Sequence, residues 1–185
     1  MKTIALDFET ACPGPGNACQ IGLAWIDGDR VTRVEERFIR PRDMHFTFTW
    51  CHGITADHVW DKPEFPEVLD EFRDELEGAL VLAHNAGFDA GVMRGCASAY
   101  SVRQPKMSFM CTLQIARSVW PELKSKSLGS VAAHLGIRFQ HHNAAEDART
   151  CALIAIAAAR IVGALEVIDI PARIDARRAL REEFA

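Results

Sequence analysis

The six cysteines (Cys12, Cys19, Cys51, Cys96, Cys111, Cys151) form no C-x-x-C pair, positive charge is not in excess, and no stretch is long and apolar or an extended Pro-, Gly- or Ser-rich tract. Each absence excludes something. Without paired spacing a zinc ribbon or disulfide framework has no support, and several of these cysteines lie in apolar segments, so reduced, mostly buried thiols are expected. With 21 Lys and Arg against 25 Asp and Glu, a net charge of −4 offers no general attraction for nucleic acid. The longest apolar run, Ala152 to Ala159, is Ala-rich and too short to span a bilayer. The opening Met1-Lys2-Thr3-Ile4-Ala5-Leu6-Asp7 meets a carboxylate too early for a secretion signal. The expectation is a cytoplasmic protein with no membrane role. Scattered Gly and Pro mark neither linker nor repeat.

What is present suits one globular unit of ordinary composition, 49% hydrophobic and 25% charged over 185 residues. Residues 3–9 alternate and run into a Gly/Pro-rich loop at 12–17, which predicts a strand and then a loop. Residues 19–26 and 31–39 read as further strands joined by a tight turn at Asp27-Gly28-Asp29, so the chain opens with a three-stranded meander. Phe65, Val68, Leu69, Phe72 and Leu76 have helical spacing, with Pro63 and Pro66 near the helix start. A buried strand follows at 79–83, then a helix at about 86–100 weakened by Gly91 and Gly95, and a short strand at 107–111. Helices are predicted at 112–119, at 128–135 closed by a left-handed Gly136, and at 145–161. Residues 173–184 suggest a terminal amphipathic helix. Strands in a meander followed by alternating helix and strand predict an α/β fold, one mixed sheet covered by helices. The expected organisation is a main domain over 1–165 and a C-terminal helical extension over 166–185 packed on or near it.

Within this frame a scatter of acidic residues stands out: Asp7 and Glu9 on the first strand, Asp89 about one turn into a helix, and Asp147 near another helix start. Two residues apart on a strand, Asp7 and Glu9 leave the same face, and buried charges without partners are not tolerated. Each residue taken singly also has a structural explanation. Remote arginines can pair the strand carboxylates, and acidic residues are favoured at helix N-termini. If the fold gathers all four, divalent cations are what neutralises them. Oxygen-only ligation then favours Mg²⁺ or Mn²⁺ over zinc, because no Cys/His ligand set is evident. Two such ions suit phosphodiester hydrolysis. His142, in the loop before Asp147, has the chemistry of a general base near neutral pH. It also reads as an exposed loop histidine, as does His141. His52 and His84 read as structural or substrate-contacting.

Three of these segments are also family motifs. Asp7-Phe8-Glu9-Thr10 matches D-x-E-T, His84-Asn85-Ala86-Gly87-Phe88-Asp89 matches H-N-A-x-F-D, and His142-Asn143-Ala144-Ala145-Glu146-Asp147 matches H-x-A-x-x-D. In this order the chain resembles the DEDDh branch of the 3′→5′ exonucleases, which includes the epsilon proofreading subunits of bacterial replicative polymerases. Gln20-Ile21-Gly22 and His52-Gly53-Ile54-Thr55 add softer matches. The resemblance spans about residues 4–161 and implies a ribonuclease H-like fold. It further implies two Mg²⁺ or Mn²⁺ ions held by Asp7, Glu9, Asp89 and Asp147, and His142 as the base. Thr10 and Ala11 would hold the terminal nucleotide, with His52, Ile54, Asn85 and Phe88 lining the cleft. The sister branch carries a tyrosine where this chain has Asn143, and its only tyrosine is Tyr100. After Glu9-Thr10 the family's usual T-G is replaced by Ala11-Cys12, so the loop to Asn17 differs, and Cys111 stands where relatives carry aspartate.

The implied substrate is a single-stranded or frayed 3′ end of DNA or RNA, with a polymerase complex as a further partner. The short stretch beyond Ile161 favours a free-standing enzyme. Basic residues at Arg37, Arg40, Arg42, Lys124 and Lys126 are candidates for phosphate contacts or simply a solvated surface. The alternatives are a nucleic-acid-binding or polymerase-associated module that keeps the fold without catalysis, and a ribonuclease H-like endonuclease.

Overall fold

The computed structural model describes residues 1–175, so all but the start of the helix expected at 173–184 lies outside the described residues. Its sheet has five strands, β1 (Thr3–Thr10), β2 (Ala18–Asp27), β3 (Arg30–Phe38), β4 (Leu80–Ala83) and β5 (Ser108–Cys111), in the order β3-β2-β1-β4-β5. The first three pair antiparallel, whereas β4 runs parallel to β1 and β5 parallel to β4. The hairpin between β2 and β3 turns through Gly28, whose φ of 57° is the left-handed conformation a tight turn needs.

Alternation along the strands divides the interior into two layers. Ile4, Leu6 and Phe8 of β1, with Ile21, Leu23 and Val81, face α3 (Phe65–Leu76) and α4 (Gly87–Ala99). Ala5, Ala24, Leu80 and Leu82 face α5 (Thr112–Val119), α6 (Leu128–His134) and α7 (Ala144–Val162). The alanine-rich buried side of α7 lets this helix lie close across β1, β2 and β3. Gly136 takes φ 70° after α6, as its left-handed capping role predicts. Beyond α7 a 3₁₀ turn at Val167–Asp169 buries Val167 and Ile170 in the same layer.

The sequence pattern anticipates the strands and longer helices to within one or two residues at their ends. It gives no sign of α1 (Thr49–His52) and α2 (Ala56–Val59), because four residues cannot display a 3.6-residue period. Among the described residues no single helix is long and apolar enough to cross a membrane. All six cysteines are free; Cys12, Cys19, Cys96 and Cys151 are buried.

Candidate active site

The parallel pairing of β1 with β4 brings the ends of both strands to one edge of the sheet, where the first two motifs sit. Because Ala5 faces α7 while Leu6 and Phe8 face α3 and α4, Asp7 and Glu9 leave β1 toward α7. Opposite Asp7 on β2 is Gly22. A Cβ there would stand 2.0 Å from the Ala144 carbonyl and 2.4 Å from the Ala145 nitrogen, so only glycine admits the start of α7 at this position. Gln20 then accepts a hydrogen bond from the Ala144 N–H at 3.2 Å, and Asn143 caps the helix by accepting from the Glu146 N–H at 2.9 Å. Glu36 accepts from both the Gln20 and Asn143 amides, each at 3.2 Å. Asp147, in the first turn, is thereby delivered to β1. Carboxylate oxygens of Asp7, Glu9 and Asp147 lie within 4.8 Å of one another.

Asp89 arrives from the other layer. It is 1% exposed, and its Oδ1 accepts the Phe8 N–H at 3.1 Å, which fixes it beside β1 between Asp7 and Glu9. The four charges disfavour their own ionisation. Burial, then Asp89, Asp147 and Glu9, push the Asp7 carboxyl well above its usual range. Burial and Asp147 raise Glu9 to about 7, and burial chiefly raises Asp89 to about 7. Asp147 is raised by burial too, partly offset by His141. Among the described residues no Lys or Arg forms an ion pair with any of the four. Buried carboxylates without a cationic side chain form an oxygen donor set suited to hard divalent cations such as Mg²⁺ or Mn²⁺.

Asp7, Glu9 and Asp147 line a cleft of about 440 Å³ together with Asn85, Phe88 and His142. The Phe88 ring is half exposed there, and Asn85 adopts φ 75° at the turn into α4. His142 lies with Nδ1 3.4 Å from the Cys51 Sγ of α1, and its own N–H donates to Asp147 Oδ2 at 3.1 Å. Burial and His141 lower the His142 pKa, so the imidazole is neutral near pH 7.

The other expected contacts are placed differently. Ala11 is buried, its N–H donates to Asn17 O at 2.8 Å, and its carbonyl accepts the N–H groups of Thr47 and Phe48. Its backbone is therefore committed to shaping the 11–17 loop. His52 is a strut: Nε2 lies 3.1 Å from the Thr10 carbonyl and Nδ1 accepts the Ile54 N–H at 3.0 Å, so it ties α1 to the end of β1. Ile54 lines a smaller adjoining cavity with His52 and His142. Arg37 is held by Glu35 and Glu71, Arg40 by Glu64, and Lys126 by the Pro121 carbonyl.

Two residues are drawn in that the sequence does not single out. His141 Nδ1 lies 3.0 Å from Asp147 Oδ2, and its ring stacks on His142 with centroids 3.9 Å apart. Cys51 meets His142 across 91 residues. For His141 the available signal is adjacency to the third motif; for Cys51 it is adjacency to His52.

Comparison with known proteins gives the family and the fold. A family model described as exonuclease, of the RNase T type, matches residues 4–155. The PolC-type DNA polymerase III of Thermotoga maritima is 33% identical over 155 residues, covering 82% of this chain and 11% of the relative. That of Streptococcus thermophilus is 34% identical over 127 residues, covering 68% of this chain and 9% of the relative. The chain thus spans about a tenth of the length of these curated relatives. Among solved structures, exonuclease X in complex with 5′ overhanging duplex DNA superposes with TM-score 0.72 at 22% identity, covering 91% of this chain and 98% of that one. The nuclease domain of 3′hExo, a DEDDh family member bound to rAMP, gives TM-score 0.73 at 16% identity, covering 86% and 92%. These likenesses show the ribonuclease H-like exonuclease fold, and by the match over residues 4–155 the chain belongs to the exonuclease family.

Proposed function

We propose that the protein shortens nucleic acids from their 3′ ends by a two-metal hydrolysis, releasing nucleoside 5′-monophosphates. The observation that carries this reading is the convergence of Asp7, Glu9 and Asp147 within 4.8 Å, with Asp89 buried behind β1 and, among the described residues, no Lys or Arg paired with any of the four. A pair of Mg²⁺ or Mn²⁺ ions, when bound, supplies charge neutralisation at the scissile phosphate, activation of water and stabilisation of the leaving 3′ oxygen. Asp7, Glu9, Asp89 and Asp147 would hold the ions. His142, with Nδ1 turned to the Cys51 thiol, presents Nε2 to take the proton from the attacking water. Phe88 offers its exposed face to the terminal base, and Asn85 a polar group at the same wall of the cleft.

The substrate is a single-stranded or frayed 3′ end. The cleft is open, and the similar structures hold DNA with an overhang in one case and a ribonucleoside monophosphate in the other. The likeness to PolC-type polymerases makes a DNA end within a polymerase complex one setting for this activity.

The test is a product ladder from 5′- and 3′-labelled DNA and RNA with Mg²⁺, Mn²⁺ or EDTA. Asp7→Asn and Asp147→Asn should each abolish hydrolysis with the fold intact; near-normal rates in both would sink the assignment. His142→Ala should slow turnover about 10²–10⁴-fold, as expected for loss of a general base, while metal binding persists. Loss of metal binding instead would make His142 a ligand. A closed circular substrate should resist, since an exonuclease needs an end.

A further inference from the structure

We propose that His141, His142 and Asp147 form a second kind of metal site, for a borderline transition ion of the zinc class, and that filling it stops hydrolysis. One ligand atom from each of the three residues lies within 4.8 Å of the others. The donor set is two imidazoles and one carboxylate, which is nitrogen-rich where the neighbouring cluster is oxygen-only. Such sets favour zinc and its neighbours in the first transition row over Mg²⁺ or Mn²⁺.

The backbone builds this arrangement. Consecutive residues of an extended chain point to opposite sides, but His142 sits at φ 64°, which folds its side chain back onto that of His141. The two rings stack at 8° with centroids 3.9 Å apart, so they are neighbours, and one ring must turn about its side-chain bonds for both in-plane lone pairs to meet one ion. His141 Nδ1 already touches Asp147 Oδ2 at 3.0 Å, so one ligand pair needs little movement. The His141 side chain is 46% exposed and that of Asp147 4%, which leaves an open approach on the histidine side and a buried anchor on the other. A soft donor stands next to the set, the Cys51 Sγ at 3.4 Å from His142 Nδ1. Asp147 and His142 also serve the proposed hydrolysis, and His141 is the donor that distinguishes this set.

The inhibitory consequence rests on the function proposed above; the binding does not. An imidazole whose lone pair is given to a metal cannot accept a proton, and an Asp147 oxygen bound to zinc is withdrawn from the ions shared with Asp7 and Glu9. Zinc should therefore inhibit in the presence of saturating Mg²⁺, because the two ions prefer different donors around a shared carboxylate.

The experiment measures binding and rate separately on the full chain in excess Mg²⁺. Zinc affinity is read by competition with a chromophoric chelator, and ligand type by the visible absorption of Co²⁺ used in place of zinc. The wild type should bind Zn²⁺, and Co²⁺ should show the stronger bands of a low-symmetry nitrogen-containing site. His141→Gln and His141→Ala should each weaken zinc binding by at least about tenfold and remove those bands, whereas Asp7→Asn should not weaken it. The reverse pattern, with Asp7→Asn weakening zinc and His141 variants not, would place zinc among the carboxylates and overturn the proposal. Zinc inhibition should fall in the His141 variants in step with binding, each rate being compared with its own zinc-free rate. A wild type that binds zinc through His141 yet turns over unchanged would refute the inhibition. A chain inactive in Mg²⁺ alone would count against the hydrolytic reading, and the binding measurements would still decide the site.

Discussion

Replacing Gly22 by alanine adds one methyl group and tests how closely the site depends on the seating of α7. That methyl would stand 2.0 Å from the Ala144 carbonyl group, where ordinary contact begins at 3.4 Å. The obstacle is backbone, so no side-chain rotation relieves it. The start of α7 must retreat from β2 by more than about 1 Å, which is overpacking of the kind that costs about 1–3 kcal/mol. Retreat also stretches the 3.2 Å hydrogen bond from the Ala144 N–H to Gln20 and carries Asp147 away from Asp7 and Glu9. A misplacement of about 1 Å at a reacting centre is worth about 10²-fold in rate. Gly22→Ala should therefore stay folded, melt about 2–10 °C lower, and lose about 10²-fold in kcat on a fluorescent 3′-end substrate. Circular dichroism and thermal melting report the fold; single-turnover rates separate chemistry from product release. A variant that melts lower but keeps its rate within a few-fold would refute the claim that this contact sets the position of Asp147.

The metal-free protein should grow less stable as pH rises from about 4 to about 7. Carboxyls whose folded pKa is raised, Glu9 and Asp89 each to about 7, are protonated in both states below that window, and above it carry the full cost of ionisation in the fold. Thermal melts should show Mn²⁺ restoring more stability at pH 8 than at pH 5; the opposite order would contradict the charge cluster. Asp89→Asn keeps an acceptor for the Phe8 N–H while removing one charge, so it should raise the metal-free melting temperature at pH 8 and abolish hydrolysis. Gly91, inside α4, has open space where a Cβ would go, so Gly91→Ala should stabilise by about 0.5–1 kcal/mol in chemical denaturation; destabilisation would refute the open space on this helix face.

The sheet and the long helices are legible because their signals are local. Alternation along residues 3–9 marks β1, the spacing of Phe65, Val68, Leu69, Phe72 and Leu76 marks α3, and Gly136 marks the end of α6. The candidate ligands were legible through motif spacing. Strand geometry puts Asp7 and Glu9 on one face, but no local rule says that Asp147, 138 residues beyond Glu9, is the third member. The short helices around His52 were not legible, and neither was the role of His52 itself. Both of its nitrogens are taken up by backbone groups of Thr10 and Ile54, which is the structural of the two readings its sequence position allows. Ala11 likewise spends its peptide groups on its own loop.

By itself the sequence determined the fold class, the order of the elements and the chemical kinds available: four carboxylates, a histidine before the last, and no local partners for the charges. These follow from backbone periodicity and side-chain chemistry, which act over a few residues. Tertiary structure alone decided which groups meet. The missing side chain at Gly22 seats α7 on β2 and delivers Asp147 to β1, the Phe8 N–H fixes Asp89, and the left-handed turn at His142 stacks it on His141 beside Cys51. Those contacts depend on backbone approach across distant segments, and pattern along a chain carries no record of approach.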